Sequence, residues 1–175
     1  MAINIDRIGH CSLLVRDLKE SERFYNMLGF QTVEKDPEHG DEVFMAGPND
    51  GHTLDLQECE EPATAMGPQK GRNWVGVQHI GFKVRSWEDL KEAIVTLREN
   101  GVPIRGLINH SSQLSVYFED PSGTNLEIYW EYPTAKYIFA YGRGDRDTEF
   151  DIDDPVAPWS TWEGAVSNPG AWHQE

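Results

Sequence analysis

Apolar and polar positions change their period twice along this chain, in the same order each time. In residues 8–30, IGHCSLLVRDLKESERFYNMLGF, Cys11, Leu13 and Val15 alternate with His10 and Ser12, the two-residue period of a half-buried strand. A helix follows, with Asp17 as its start signal, and it stops at Gly29. Residues 77–102, VQHIGFKVRSWEDLKEAIVTLRENGV, repeat the pattern. There Ile80, Phe82 and Val84 oppose His79, Gly81 and Lys83; Ser86 with Asp89 three residues on opens a helix, and Gly101 closes it. His10 and His79 stand at the same point of the two copies.

Shorter alternating runs follow each helix. The first half predicts strands at about 30–35, 42–46 and 53–58, and the second at about 103–108, 114–119 and 124–131. The Pro- and Gly-rich stretch EEPATAMGPQKGRN separates the halves. The expected fold is therefore α+β: two βαβββ modules, about 1–62 and 74–132, forming a curved mixed sheet with one core in a domain spanning 1–132. Residues 133–175 form an irregular, acidic C-terminal arm. Trp159, Trp162 and Trp172, with Tyr137, Phe139 and Tyr141 before them, are too many aromatics for a freely disordered tail. The arm is expected to wrap on its own body or on another subunit, in a homo-oligomer.

Charge and cysteine content narrow the partners. A formal net charge of −15 argues against nucleic acid and against an anionic membrane surface. Two cysteines, Cys11 and Cys59, are too few for a disulfide scaffold. The opening MAINIDRIGH lacks the apolar run of a signal peptide, and no stretch is apolar enough to span a bilayer. The expectation is a reduced, cytoplasmic protein. Six histidines against two cysteines favour nitrogen and oxygen ligands for any metal.

Strand alternation predicts which side chains meet. The apolar face of each strand should lie under a helix, and the opposite faces should line a more polar, concave cavity. In the last strand Leu126, Ile128 and Trp130 oppose Asn125, Glu127 and Tyr129; in the strand before it Val116 and Phe118 oppose Ser115, Tyr117 and Glu119. The polar side thus collects His10, His79, Glu127 and Tyr117 from four strands. An unpaired carboxylate buried in a strand is costly, and a divalent cation would remove that cost at Glu127. Two imidazoles and one carboxylate leave one side of a metal open, an arrangement suited to non-haem Fe(II). A strand histidine is more commonly a satisfied polar residue; equivalent positions in two repeats favour the metal.

The segments IGHCSLLVRDLKESERFYNMLGF, QHIGFKV and YFEDPSGTNLEIYW resemble the vicinal-oxygen-chelate superfamily, whose modules are βαβββ pairs. HSSQLSVYFEDPSGTNLEIYWEYP is similar, in the order and near the spacing of its His, Tyr and Glu, to type I extradiol (catechol 2,3-) dioxygenases in a one-domain form. The resemblance covers about residues 5–133. It implies that His10, His79 and Glu127 hold Fe(II), with Mn(II) as the second choice, in a site that takes a catechol-type diol and O2. It implies that Tyr117 hydrogen-bonds a substrate oxygen, that His110 contacts the diol from a segment over the site, and that His52 is the acid–base histidine.

Each assignment has a plainer reading. Alternation with Leu54 and Leu56 points His52 away from the cavity, so it reads equally as a solvated turn residue after Asn49-Asp50-Gly51 unless a bulge or strand start at Thr53 turns it inward. His110 can be a loop residue and Tyr117 a packing tyrosine. His39 reads as an exposed turn, and His173 has no supporting context. Asp55, in TLDLQ, departs from the extradiol pattern: it stands where glyoxalase-type isomerases carry a fourth ligand. Three functions follow in order: an extradiol dioxygenase; a metal-dependent isomerase, epimerase or thiol transferase of the same fold; and a non-catalytic small-molecule binder, which tends to lose the ligands this chain keeps. Trp74, Phe44, Met45, Tyr129 and Trp130 are available as walls for an aromatic ring, with Trp130 expected to face the helices.

Overall fold

The computed structural model describes residues 8–35, 40–47, 50–60, 76–110, 112–133, 135 and 147–153. The connector from 61 to 75, His39, Trp74, His173 and all six arm aromatics named above lie outside the described residues. The described elements run β1 (Cys11–Val15), α1 (Leu18–Met27), β2 (Gln31–Lys35), β3 (Glu42–Ala46), β4 (Leu54–Glu58), β5 (Ile80–Lys83), α2 (Trp87–Glu99), β6 (Gly106–Asn109), β7 (Gln113–Glu119), β8 (Asn125–Glu131) and β9 (Thr148–Glu149). The order βαβββ therefore occurs twice, and the fold is α+β as expected.

The chain divides into two compact units, Met1–Gly67 with Asp120–Thr124, and Pro68–Glu119 with Asn125–Glu175. Each holds its own sheet. The first has the order β1-β4-β3-β2 and the second β5-β8-β7-β6-β9. The two share a pattern: β1 pairs parallel to β4 and β5 parallel to β8, and the other pairings are antiparallel. β9 lies beyond the repeat; it is contributed by the C-terminal arm and pairs with β6.

Local signals explain the helices. The Asp17 carboxylate accepts from the Glu20 amide at 2.8 Å, tying off one of the free N–H groups at the start of α1. Ser86 and Asp89 exchange hydrogen bonds in a capping box, each at 3.1 Å. Gly29 and Gly101 follow the helices at φ 98° and 69°, a region that strains any residue with a Cβ.

In the first unit Leu18, Ser21 and Tyr25 of α1 turn inward, with Val15, Val43, Met45, Leu54 and Leu56 buried among the strands. In the second, Leu90, Ile94 and Leu97 of α2 do so, with Leu114, Val116, Phe118, Leu126 and Ile128. Complete burial of such a side chain stabilises by about 1.5–3 kcal/mol relative to exposure. α1 lies against β4 and α2 against β8, so each helix covers the apolar face of its sheet and leaves the other face to polar residues. Trp130 sits on the helix side, its ring 6.5 Å from that of Trp87 in α2.

The predicted strand at 103–108 is observed at Gly106–Asn109 instead. Pro103 has no N–H to give a ladder, which delays the strand to the residues beyond it. The turn after β7 is organised by buried Asp120, whose Oδ1 accepts from the amides of Ser122 at 2.9 Å and Thr124 at 2.7 Å, with Gly123 at φ 93°. Its Oδ2 accepts from the Tyr25 hydroxyl of α1 at 3.0 Å.

Candidate functional site

The pairing of β5 with β8 places Gly81 beside Glu127, and the pairing of β7 with β8 places Tyr117 on its other side. These residues share the sheet face that α2 does not cover. Glu127 is 4% exposed, so its charge needs partners. Among the described residues it has three: His79 Nε2 lies 3.0 Å from Oε2, while the Tyr117 hydroxyl and Gln113 Nε2 donate to Oε1 at 2.9 and 3.0 Å. His110 extends the group, its Nε2 2.8 Å from the Tyr117 hydroxyl. Burial pushes the Tyr117 phenol well above its usual range, and the Glu127 charge and hydrogen bond push it further, so it stays protonated and able to donate.

Gly81 makes this arrangement possible. A Cβ there would come within 3.0 Å of Glu127 Oε2 and 3.3 Å of Tyr129 Cε1. Its absence leaves room for the carboxylate to lie across β5 toward His79. His79 Nε2 and Glu127 Oε2 then lie at hydrogen-bond distance, 3.0 Å, so the imidazole helps offset the buried charge.

The first unit holds His10 and His52 of the predicted set. Ser12 pairs with Asp55 just as Gly81 pairs with Glu127, so Asp55 occupies the register position of Glu127. His10, two residues before Ser12, has its Nε2 3.8 Å from Asp55 Oδ2. His52 is hydrogen-bonded through Nε2 to Asp55 Oδ1 and stacks on His10, ring centroids 4.6 Å apart and 22° from parallel. One ligand atom from each of His10, His52 and Asp55 lies within 4.8 Å of the others.

His52 reaches this face because it precedes the ladder. β4 begins at Leu54, and strand alternation does not govern a residue two positions before the first pair. The loop closes through the Thr53 amide on the Met45 carbonyl at 2.8 Å, and the Gly47 amide on the Thr53 hydroxyl at 3.1 Å. That closure carries His52 over Asp55 and against the Phe44 ring, 5.7 Å away.

The structure thus brings together His79, Glu127, Tyr117 and His110 in the second unit, and His10 with His52 and Asp55 in the first. Gln113 was not singled out by the sequence, although it shares the alternating face of Ser115 and Tyr117. Asp147 was not singled out either; it lies 2.8 Å from His110 Nδ1 and carries no local sequence signal. Of the candidate walls, Phe44 and Tyr129 lie on the polar side, whereas Met45 is fully buried in the core. The donors are imidazole nitrogens and carboxylate oxygens without thiolate, a set that suits a divalent first-row metal. Among the described residues no helix is long and apolar enough to cross a membrane.

Comparison with known proteins places these observations in a family setting. The model of the glyoxalase/bleomycin resistance protein/dioxygenase superfamily matches residues 7–128. A catechol-2,3-dioxygenase of Bacillus subtilis is 28% identical over 131 residues, 74% of this chain and 43% of the relative. The chain therefore spans less than half the length of that relative. A biphenyl-2,3-diol 1,2-dioxygenase of Rhodococcus globerulus is 24% identical over 154 residues, 87% of this chain and 78% of the relative. A crystal structure of a glyoxalase/dioxygenase from Nostoc punctiforme superposes with a TM-score of 0.61 at 22% identity, covering 75% of this chain and 99% of that one.

Proposed function

We propose that this chain, which belongs to the glyoxalase/bleomycin resistance protein/dioxygenase superfamily, is an Fe(II)-dependent extradiol dioxygenase that opens a catechol-type aromatic diol with O2. The observation that carries the reading is the chain of contacts His79–Glu127–Tyr117–His110, in which a buried carboxylate is aligned with a protonated phenol and a second imidazole. Relatives named for cleaving catechol and biphenyl diols support the substrate class. In this reading His10, His79 and Glu127 hold the metal, Fe(II) before Mn(II), and His52, His110 and Tyr117 serve the substrate.

Bound there, iron would supply the electron-transfer chemistry between an aromatic diol and O2 that acid–base side chains lack. The chain's own residues do the rest. His52, beside His10 and oriented by Asp55, accepts a proton from a diol hydroxyl. Tyr117 donates a hydrogen bond to a diol oxygen, and His110 supports that phenol from behind. Phe44 and Tyr129 offer apolar surface to the ring. Overall one ring C–C bond beside the diol breaks and both atoms of O2 enter a hydroxymuconic semialdehyde-type product, so no external reductant is needed.

Asp55 favours a second reading. It occupies the register position of Glu127, and a four-ligand site would suit isomerisation of the glyoxalase type. Its bond to His52 gives it another task and supports the dioxygenase. One experiment separates the two. The purified chain is given ferrous iron anaerobically, then air with catechol or 2,3-dihydroxybiphenyl. A yellow product with matching O2 uptake is expected. No colour across a panel of diols, with Ni(II)- or Zn(II)-dependent loss of a thiol hemiacetal, would replace the dioxygenase with the isomerase.

A further inference from the structure

His110 is held from two sides. Tyr117 meets its Nε2, and Asp147 Oδ1 meets its Nδ1, each at 2.8 Å. Tyr117 belongs to the second βαβββ copy, whereas Asp147 comes from the arm that follows both copies. Strand pairing brings it there. β9 adds antiparallel to β6 with Ile108 opposite Glu149 and Asn109 opposite Thr148. The same register, continued by one residue, sets Asp147 opposite His110. Beyond the strand, the Phe150 amide donates to the Leu107 carbonyl at 3.1 Å, and the Phe150 ring meets the Trp87 ring with centroids 6.0 Å apart. The His110 side chain is 13% exposed and that of Asp147 50% exposed, so the carboxylate caps the ring from the solvent side.

We propose that Asp147 is a positioning residue for His110, and that the arm is thereby part of the site. An ionised carboxylate only accepts, so the imidazole must present Nδ1–H to it. Nε2 is then the ring's acceptor and takes the Tyr117 proton, which that hydroxyl gives either to Nε2 or to Glu127 Oε1, and the ring cannot turn over without losing both bonds. Without Asp147, water satisfies either nitrogen, and both tautomers and both ring orientations become populated. The catalytic half of this inference rests on the ring-cleavage reading; the tautomer half stands without it.

Nitrogen-15 NMR of the full chain, loaded with diamagnetic Zn(II), reads the His110 tautomer directly. The wild type should show Nδ1–H, Asp147→Asn should keep it because its amide oxygen still accepts, and Asp147→Ala should show a mixture. With Fe(II) and a diol, Asp147→Ala should lose about ten- to a hundredfold in kcat with KM and iron content nearly unchanged, and Asp147→Asn should restore most of it. An unaltered His110 spectrum in Asp147→Ala would overturn the proposal, as would an altered spectrum with unaltered kcat. If the wild type cleaves no diol, the ring-cleavage reading fails, and the spectra of the two variants still decide whether Asp147 positions His110.

Discussion

Replacing Gly81 with alanine should separate the site from the fold. Gly81 is in strand β5 and is not among the glycines with positive φ, so alanine suits its backbone and should gain about 0.5–1 kcal/mol from reduced chain entropy. Against this, the new Cβ would lie 3.0 Å from Glu127 Oε2 and 3.3 and 3.6 Å from Tyr129 Cε1 and Cδ1. Relieving that crowding costs about 1–3 kcal/mol, and least if the carboxylate end retreats by a few tenths of an ångström. Where the carboxylate end retreats the cost is at its low end and the two effects nearly cancel, so the melting temperature should stay within about 5 °C of the wild type. The proposed metal site should be less tolerant, because ligand distances hold to about 0.2 Å and Oε2 is the atom that must move. Iron retained after anaerobic loading and gel filtration should fall at least about tenfold, with the melting curve recorded on the same sample. An alanine variant that holds one iron as firmly as the wild type would refute the assignment of Oε2 to the metal.

Other perturbations test other parts of the account. Glu127→Ala should abolish iron retention, measured by metal analysis after desalting; retained iron would remove Glu127 from the ligand set. Asp120→Ala should lower stability by about 3 kcal/mol in urea titration, because the buried Tyr25 hydroxyl and two turn amides lose their acceptor. Burial first, and then the Asp120 charge and hydrogen bond, raise the Tyr25 phenol far above its usual value. The folded state therefore keeps a proton that the unfolded state releases near pH 10. This stability is complete below about pH 10 and is lost above it, at about 1.4 kcal/mol per pH unit for that one group. Urea midpoints from pH 9 to 11 should fall, and fall less steeply in Tyr25→Phe; equal slopes would contradict the burial argument.

Features that depend on neighbours in the chain were legible in the sequence. Asp17, Ser86 and Asp89 cap helices through bonds spanning three residues, and alternation placed Glu127 and Tyr117 on one face and Trp130 on the other. The internal repeat also placed Asp55 at the counterpart of Glu127. Features set by longer-range pairing were not legible. His52 escaped alternation because it precedes the first ladder pair, and its position depends on how the loop from Gly47 to Thr53 closes. Asp147 meets His110 only because β9 adds to β6 in one register, which no local pattern around either residue announces. Gly81 looked like one more polar-face position until pairing put it beside the Glu127 carboxylate.

The proposal that His10, His79 and Glu127 together hold iron has a direct test. A crystal of the iron-loaded chain, with anomalous diffraction recorded on both sides of the iron edge, tests it most directly. The account predicts one strong peak bonded to His10, His79 and Glu127, with Asp55 engaged by His52 instead. A peak held by His10, His52 and Asp55 without Glu127, or one on surface acids alone, would contradict it.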